Sequence, residues 1–169
     1  MLKKGERMTI TGDMKRYLDD QGMPYETVIH HEAYTAGDEA RAVGTVAAHV
    51  AKTLVVKARD GDVLAVIPAS ERIDMHKLHD LLGDSHARLA TEDEMKSEFP
   101  DFELGAVPPL GELIGAPVII DEKLQQADEV IFTGGTHTES VKMSTEDFLK
   151  LAHPQVADLT REPGAEMLY

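Results

Sequence analysis

The sequence predicts one domain in which strands and helices mix, with much antiparallel pairing, as in an α/β or α+β fold. Three observations lead there. Residues 51–70, AKTLVVKARDGDVLAVIPAS, read as a β-hairpin, because β-branched and leucine-rich runs flank the turn pair Asp60-Gly61. Stretches of helical periodicity with recognisable caps alternate with further strand-like runs. The 169 residues suit a single core that buries about two-thirds of the unfolded surface, and no repeat or low-complexity tract divides them.

The elements follow in chain order. Thr9 to Gln21 is predicted to be a helix, with Ile10, Met14, Tyr17 and Leu18 on one face and Gly22 and Pro24 as its stop. Tyr25 to His30 reads as a strand. Thr35 and Asp38 mark a capped helix start, Gly44 its end, and Ala47 to Val50 a helical turn. In the hairpin, alternation sets Lys52, Leu54, Val56 and Ala58 on one face, and Thr53, Val55 and Lys57 on the other.

Beyond the hairpin, Asp74 caps a helix whose Met75, Leu78, Leu81 and Leu82 form an apolar stripe ended by Gly83. Ala87 to Ala90 is a short strand, and Thr91 with Glu94 forms a capping box for a helix closed by Pro100. Phe102 to Pro117 holds three glycines and three prolines and reads as irregular; a loop this long in a compact domain is usually functional. Val118 to Ile120 and Glu129 to Phe132 are strands. Gly134 to His137 is a glycine turn, and Ser140 to Met143 returns as a strand. Ser144 and Asp147 open a last helix bearing Phe148 and Leu151, which stops before Pro154. These readings give residues 1–8 as a flexible N-terminus, 9–158 as the domain and 159–169 as a C-terminal tail.

Composition excludes several classes of function. There is no cysteine, hence no disulfide, thiol nucleophile or cysteine-ligated zinc. No apolar run approaches the length of a membrane span and no signal-peptide core follows the basic start, so the expected compartment is the cytoplasm, with no membrane partner. The net charge of −14 opposes a broad nucleic-acid surface but leaves room for a small basic site gripping one end of a nucleic acid.

The candidate chemistry is sparse. His30 and His31 point to opposite faces of a strand and cannot readily share an ion. His76 and His79 have a zinc-compatible spacing but no third ligand nearby, and read as a solvated helix face; no metal is expected. No nucleophile elbow, P-loop or dinucleotide fingerprint is present. Lys52 shares a face with apolar residues at a strand end, so its ammonium either snorkels to water or meets an anion. One such lysine, two glycine-containing loops rich in backbone donors and His137 in the second of them suit binding a phosphate or carboxylate and orienting a water.

Three separated segments resemble the YbaK/EbsC family, the aminoacyl-tRNA deacylase domains associated with prolyl-tRNA synthetase. They are HHEAYTAGDEA; AKTLVVKA with VLAVIP; and LGAVPPLG with FTGGTHTESVKM. In order, they span about His30 to Leu151. The resemblance implies a compact α/β domain with a mixed, strongly curved, largely antiparallel sheet and helices packed outside it. It implies hydrolysis, in trans and without a cofactor, of the ester joining a wrong amino acid to tRNA. Its partners would be the 3′ aminoacyl end of mischarged tRNA and an aminoacyl-tRNA synthetase as recruiter.

By the same resemblance, Lys52 holds the terminal nucleotide or aminoacyl end, while backbone groups of Gly105 to Val107, and of Gly134 and Gly135, orient the ester and water. Catalytic roles therefore fall on Lys52, Gly105, Gly134, Gly135 and His137. Substrate-binding roles fall on His31, Thr35, Thr53, Ala106, Val107, Pro108 and Thr136. His137 is either a hydrogen-bonding partner of the substrate's amino group or water, or an exposed turn residue. The pair Pro108-Pro109 departs from relatives with a smaller residue before a single proline. The alternative function is a non-catalytic module of the same fold that captures a small carboxylate-bearing ligand or a protein partner. Basic residues such as Lys57, Arg59, Arg72 and Lys142 around the pocket mouth would favour the enzyme.

Overall fold

The computed structural model describes residues 10–162; the expected flexible N-terminus (1–8), Thr9 and the end of the expected tail lie outside these. Local signals account for most elements. Helix α1 (Ile10–Gln21) leads to strand β1 (Glu26–Ile29). Helix α2 (Ala36–Val43) starts where the Thr35 side chain accepts a hydrogen bond from the Asp38 N–H, and ends at left-handed Gly44. A 3₁₀ turn (Ala47–His49) precedes the hairpin of β2 (Ala51–Ala58) and β3 (Gly61–Pro68). Helix α3 (Met75–Leu82) is capped by Asp74 and by left-handed Gly83. After the two-residue strand β4 (Arg88–Leu89), the Thr91–Glu94 capping box opens α4 (Glu92–Glu98). Then come α5 (Gly111–Ile114), β5 (Val118–Asp121), a second 3₁₀ turn (Glu122–Gln126), β6 (Glu129–Thr136) and β7 (Glu139–Ser144). Helix α6 (Thr145–Ala152), capped by Ser144, and strand β8 (Gln155–Ala157) complete the order.

The fold is mixed α/β, and its strands form two sheets. One has the order β1-β7-β6 and is antiparallel; the other has the order β4-β2-β3-β5-β8. In the second, β3 pairs antiparallel with β2 but parallel with β5, and β5 parallel with β8. A single parallel bridge from Val50 to Ile131 joins the sheets at the edge of β2. Strand β3 is buried along Val63–Pro68, as its unbroken apolar run requires of a strand covered on both faces. On one side lies the main core, with Met14 and Leu18 of α1, Phe132 of β6 and Phe148 of α6. On the other, Leu78 of α3 is fully buried against Val56, Ala65 and Ile67, worth about 1.5–3 kcal/mol.

Several expectations need correction. The hairpin loop is Arg59-Asp60, because Ala58 pairs with Gly61; only Gly61, at the head of β3, takes a positive φ. Leu81 lies outside the buried stripe of α3 and is 37% exposed. The stretch 102–117 is not wholly irregular, since it contains α5. Gly134 to Thr136 belong to β6, where the register with β7 shifts between Thr133 and Thr136; the turn is therefore His137-Thr138. Strand β8 was not expected at all. Past it, Leu159 is fully buried and donates its N–H to Asp121 Oδ1 at 2.8 Å, while Thr160 bridges Ile73. The stretch expected as tail thus begins with residues packed into the domain.

Candidate active site

The site lies where β2 lacks a neighbour. On one edge, β2 pairs with β3 throughout. On the other, Val50 meets β6, the Val55 carbonyl accepts the Ala90 N–H, and Val56 and Lys57 pair with β4. Residues 51–54 are left open between these contacts. They are the four residues of β2 that line a cavity of about 440 Å³, closed by the β1–α2 segment, by Gly105 and Val107, and by Thr133, Thr136 and His137.

Lys52 is exposed, and its ammonium has no hydrogen bond or ion pair among the described residues. The Thr53 hydroxyl is buried and without a partner among the described residues. Leaving such a group unsatisfied costs about 1–3 kcal/mol. Gly105 adopts a left-handed φ of 82°, suited to glycine, and the N–H groups of Gly105 and Val107 have no partner among the described residues.

His137 is held on two sides. Its backbone N–H donates to Glu103 Oε2 at 2.7 Å, and its ring Nδ1 lies 3.0 Å from the Ala33 carbonyl oxygen. A carbonyl only accepts, so Nδ1 carries the hydrogen; in the neutral ring Nε2 remains an acceptor. Tyr34 packs on the imidazole with ring centroids 4.9 Å apart.

The glycine pair acts differently from the expectation. Neither Gly134 nor Gly135 lines the cavity. A Cβ on Gly134 would stand 3.0 Å from the Glu139 carbonyl oxygen, so this glycine permits the close approach of β7. Gly135 donates its N–H to Thr133 Oγ1 and accepts from the Glu103 N–H at 3.1 Å, tying the Gly105 loop to β6. Of the other expected residues, Lys52, Thr53, Thr35, Gly105, Val107, Thr136 and His137 converge on the cavity. Ala106 and Pro108 are buried outside its wall, and the exposed His31 contributes only a carbonyl, which accepts from His30.

Sequence reasoning missed His30, Tyr34, Glu39 and Thr133 at the cavity, and Ser140 behind it. His30 Nε2 lies 2.8 Å from Ser140 Oγ, and the Ser140 hydroxyl donates to Glu39 Oε2. Glu39 is 7% exposed. Burial pushes its carboxyl above the ordinary range; the bond from Ser140 and the nearby His30 and His137 oppose that shift without cancelling it. No local pattern marks this trio, since Glu39 reads as one more charge on an exposed helix.

None of Lys57, Arg59, Arg72 and Lys142, expected as a basic ring at the mouth, lines the cavity wall. Lys57 pairs with Asp62 and Glu98, Arg59 with Asp84, and Lys142 with Glu129. His79 directs Nε2 to the Ala87 carbonyl oxygen at 2.7 Å, and among the described residues no group of three or more metal-binding side chains gathers. None of the described helices is long and apolar enough to cross a membrane.

The fold is that of an editing domain, as comparison with known proteins shows. The chain belongs to the aminoacyl-tRNA editing domain family, whose profile matches residues 30–151. It is 27% identical over 153 residues to the Multifunctional Ser/Thr-tRNA deacylase ProXp-y of Escherichia coli, covering 85% of this chain and 89% of the relative. It is 28% identical over 129 residues to the Proline--tRNA ligase of Fervidobacterium nodosum, covering 76% of this chain but 22% of the ligase. A crystal structure of a protein proposed to be a trans-editing enzyme for prolyl tRNA synthetase superposes with a TM-score of 0.81 at 29% identity, covering 90% of this chain and 98% of the other.

Proposed function

We propose that the protein is an aminoacyl-tRNA deacylase, hydrolysing in trans the ester between a wrongly attached amino acid and its tRNA. The observation that carries this reading is the convergence of Lys52, Thr53, the Gly105–Val107 backbone and His137 on one cavity, from segments far apart in sequence. Family membership and the activity in the name of the Escherichia coli relative support it. Water adds to the ester carbonyl, the bond to the ribose oxygen breaks, and free amino acid and tRNA leave. The N–H groups of Gly105 and Val107 are available to the charge that develops on the carbonyl oxygen. Lys52 anchors the phosphate of the terminal nucleotide, and His137 Nε2 accepts a hydrogen bond from water or substrate. The ribose hydroxyl beside the ester assists the attack, so no side-chain nucleophile is needed.

A synthetase is the natural recruiter and the cytoplasm the natural compartment of such an activity. The pairing of Lys57, Arg59 and Lys142 with carboxylates favours a second reading, a binding module for a small ligand. Incubating the purified protein with tRNAs charged with different non-cognate amino acids separates the two. Release of amino acid from at least one supports the enzyme, and binding without release from any supports the module.

A further inference from the structure

We propose that Glu39 is the counter-ion for the α-ammonium group of the substrate's amino acid, backed by one proton that moves between Glu39 and His30 through Ser140. This rests on the deacylase reading. Every aminoacyl-tRNA brings an α-amine on one side of its ester and, across the terminal ribose, a phosphate on the other. The cavity has a matching polarity: among the described residues Glu39 is its one carboxylate and lies buried, while Lys52 is its one lysine or arginine and lies exposed. An ammonium led into the interior without a partner is costly, so the amine belongs at Glu39 and the phosphate at Lys52.

The hydrogen bonds define the proton content behind Glu39. His30 Nδ1 lies 2.6 Å from the His31 carbonyl oxygen, which only accepts, so Nδ1 carries a hydrogen. Ser140 has one hydrogen to give, and two arrangements satisfy all three side chains. In one, imidazolium His30 donates to Ser140 and Ser140 donates to the Glu39 carboxylate. In the other, neutral Glu39 donates to Ser140 and Ser140 donates to neutral His30. Both hold the same number of protons. When the ammonium arrives, the Glu39 proton passes to Ser140 Oγ as the Ser140 proton passes to His30 Nε2. The carboxylate forms without taking a proton from, or giving one to, solvent. Besides His30, the titratable group facing Glu39 is His137 from the β6–β7 turn, while Lys52 and Tyr34 line the same cavity; on its own helix, Asp38 and Arg41 pair with each other.

The test compares hydrolysis of one aminoacyl-tRNA with that of its N-acetylated form, which cannot carry the positive charge. The parent is expected to prefer the free amine in kcat/KM by roughly ten- to a hundredfold, the effect of one charge-assisted hydrogen bond. Glu39→Gln is expected to bring the two rates together by slowing the free-amine ester. Ser140→Ala keeps the carboxylate but cuts the proton path. Its preference is expected to fall as pH drops from about 7 to about 5.5, where the ammonium stays charged, while the parent's stays level. Equal rates of the parent on the two esters, or a Glu39→Gln variant with the parent's preference, would overturn the ammonium site. A preference in Ser140→Ala as level as the parent's would overturn the proton path. Should Glu39→Gln fail to fold, the parent's ratio and Ser140→Ala decide. A parent that hydrolyses neither ester would overturn the deacylase reading as well, whereas equal hydrolysis of both leaves that reading standing.

Discussion

Lys52→Ala separates a substrate anchor from a solvated lysine. Its side chain is exposed and makes no hydrogen bond or ion pair with the described residues, and its backbone pairing with Ile67 survives truncation. A substitution of this kind changes stability by at most about 0.5 kcal/mol. The cost to activity is of another size. If the ammonium holds an anionic group of the tRNA end, losing that charge-assisted bond removes about 1.5–3 kcal/mol. Expressed at the transition state, this slows deacylation roughly ten- to a hundredfold. Lys52→Arg should restore only part of the rate, because a planar fork does not replace a compact ammonium in a confined site. Lys57→Ala is the internal control. Lys57 lies on the same strand but is bound to Asp62 and Glu98, and is not part of the cavity wall. It should leave the rate on mischarged tRNA unchanged. Full activity of Lys52→Ala on every mischarged tRNA that the parent hydrolyses would refute the anchoring role.

Thr53→Val removes the buried, unpartnered hydroxyl and should raise stability by about 1 kcal/mol, while slowing deacylation; a melting curve and a rate on one sample check both, and a faster enzyme would contradict the role. Gly111→Ala drives a Cβ into the Ala116 carbonyl oxygen and to 2.9 Å from Val118 Cγ2, which cannot be met without moving backbone; thermal unfolding should show a loss of about 1–3 kcal/mol. Acid unfolding should report on Glu94, which the fork of Arg88 and the Thr91 N–H hold down at about 2 against an ordinary 4.5. A carboxylate depressed in the folded state stabilises fully above its unfolded pKa, so its contribution is lost as pH falls from about 4.5 to about 2, and Glu94→Gln should flatten that part of the stability–pH curve.

What the sequence made legible was local chemistry. Thr35 and Asp38, Asp74, the Thr91–Glu94 box and Ser144 each placed a helix start, because a cap is settled by residues three apart. Gly44 and Gly83 marked helix ends for the same reason. Strand β8 escaped because three residues, Gln155–Ala157, carry no period and exist only through parallel pairing with β5. The glycine turn was misplaced because Gly134 and Gly135 answer to contacts across sequence, one with Glu139 and one with Glu103. In the site, Lys52, Thr53 and His137 could be singled out by residue type and resemblance. Glu39 could not, for its burial depends on Ser140, far along the chain.

The open edge of β2 shapes the cavity. A strand at a sheet edge exposes unpaired backbone groups, which proteins ordinarily cover. Here β6 covers the edge at Val50 and β4 at Val56 and Lys57, and the interval between is left to the cavity. The register shift at Thr133–Thr136 bends the end of β6 beside that opening. Gly135, through the Glu103 N–H, then fixes the Gly105 loop on the same side. Lys52 and Thr53 on one sheet and Thr133 and Thr136 on the other thus line the cavity where the two sheets part. The position of Lys52 follows from the same arrangement. As the second residue of β2, it lies past the bridge to β6 and before the pairing with β4, where its ammonium reaches solvent and pairs with no carboxylate among the described residues.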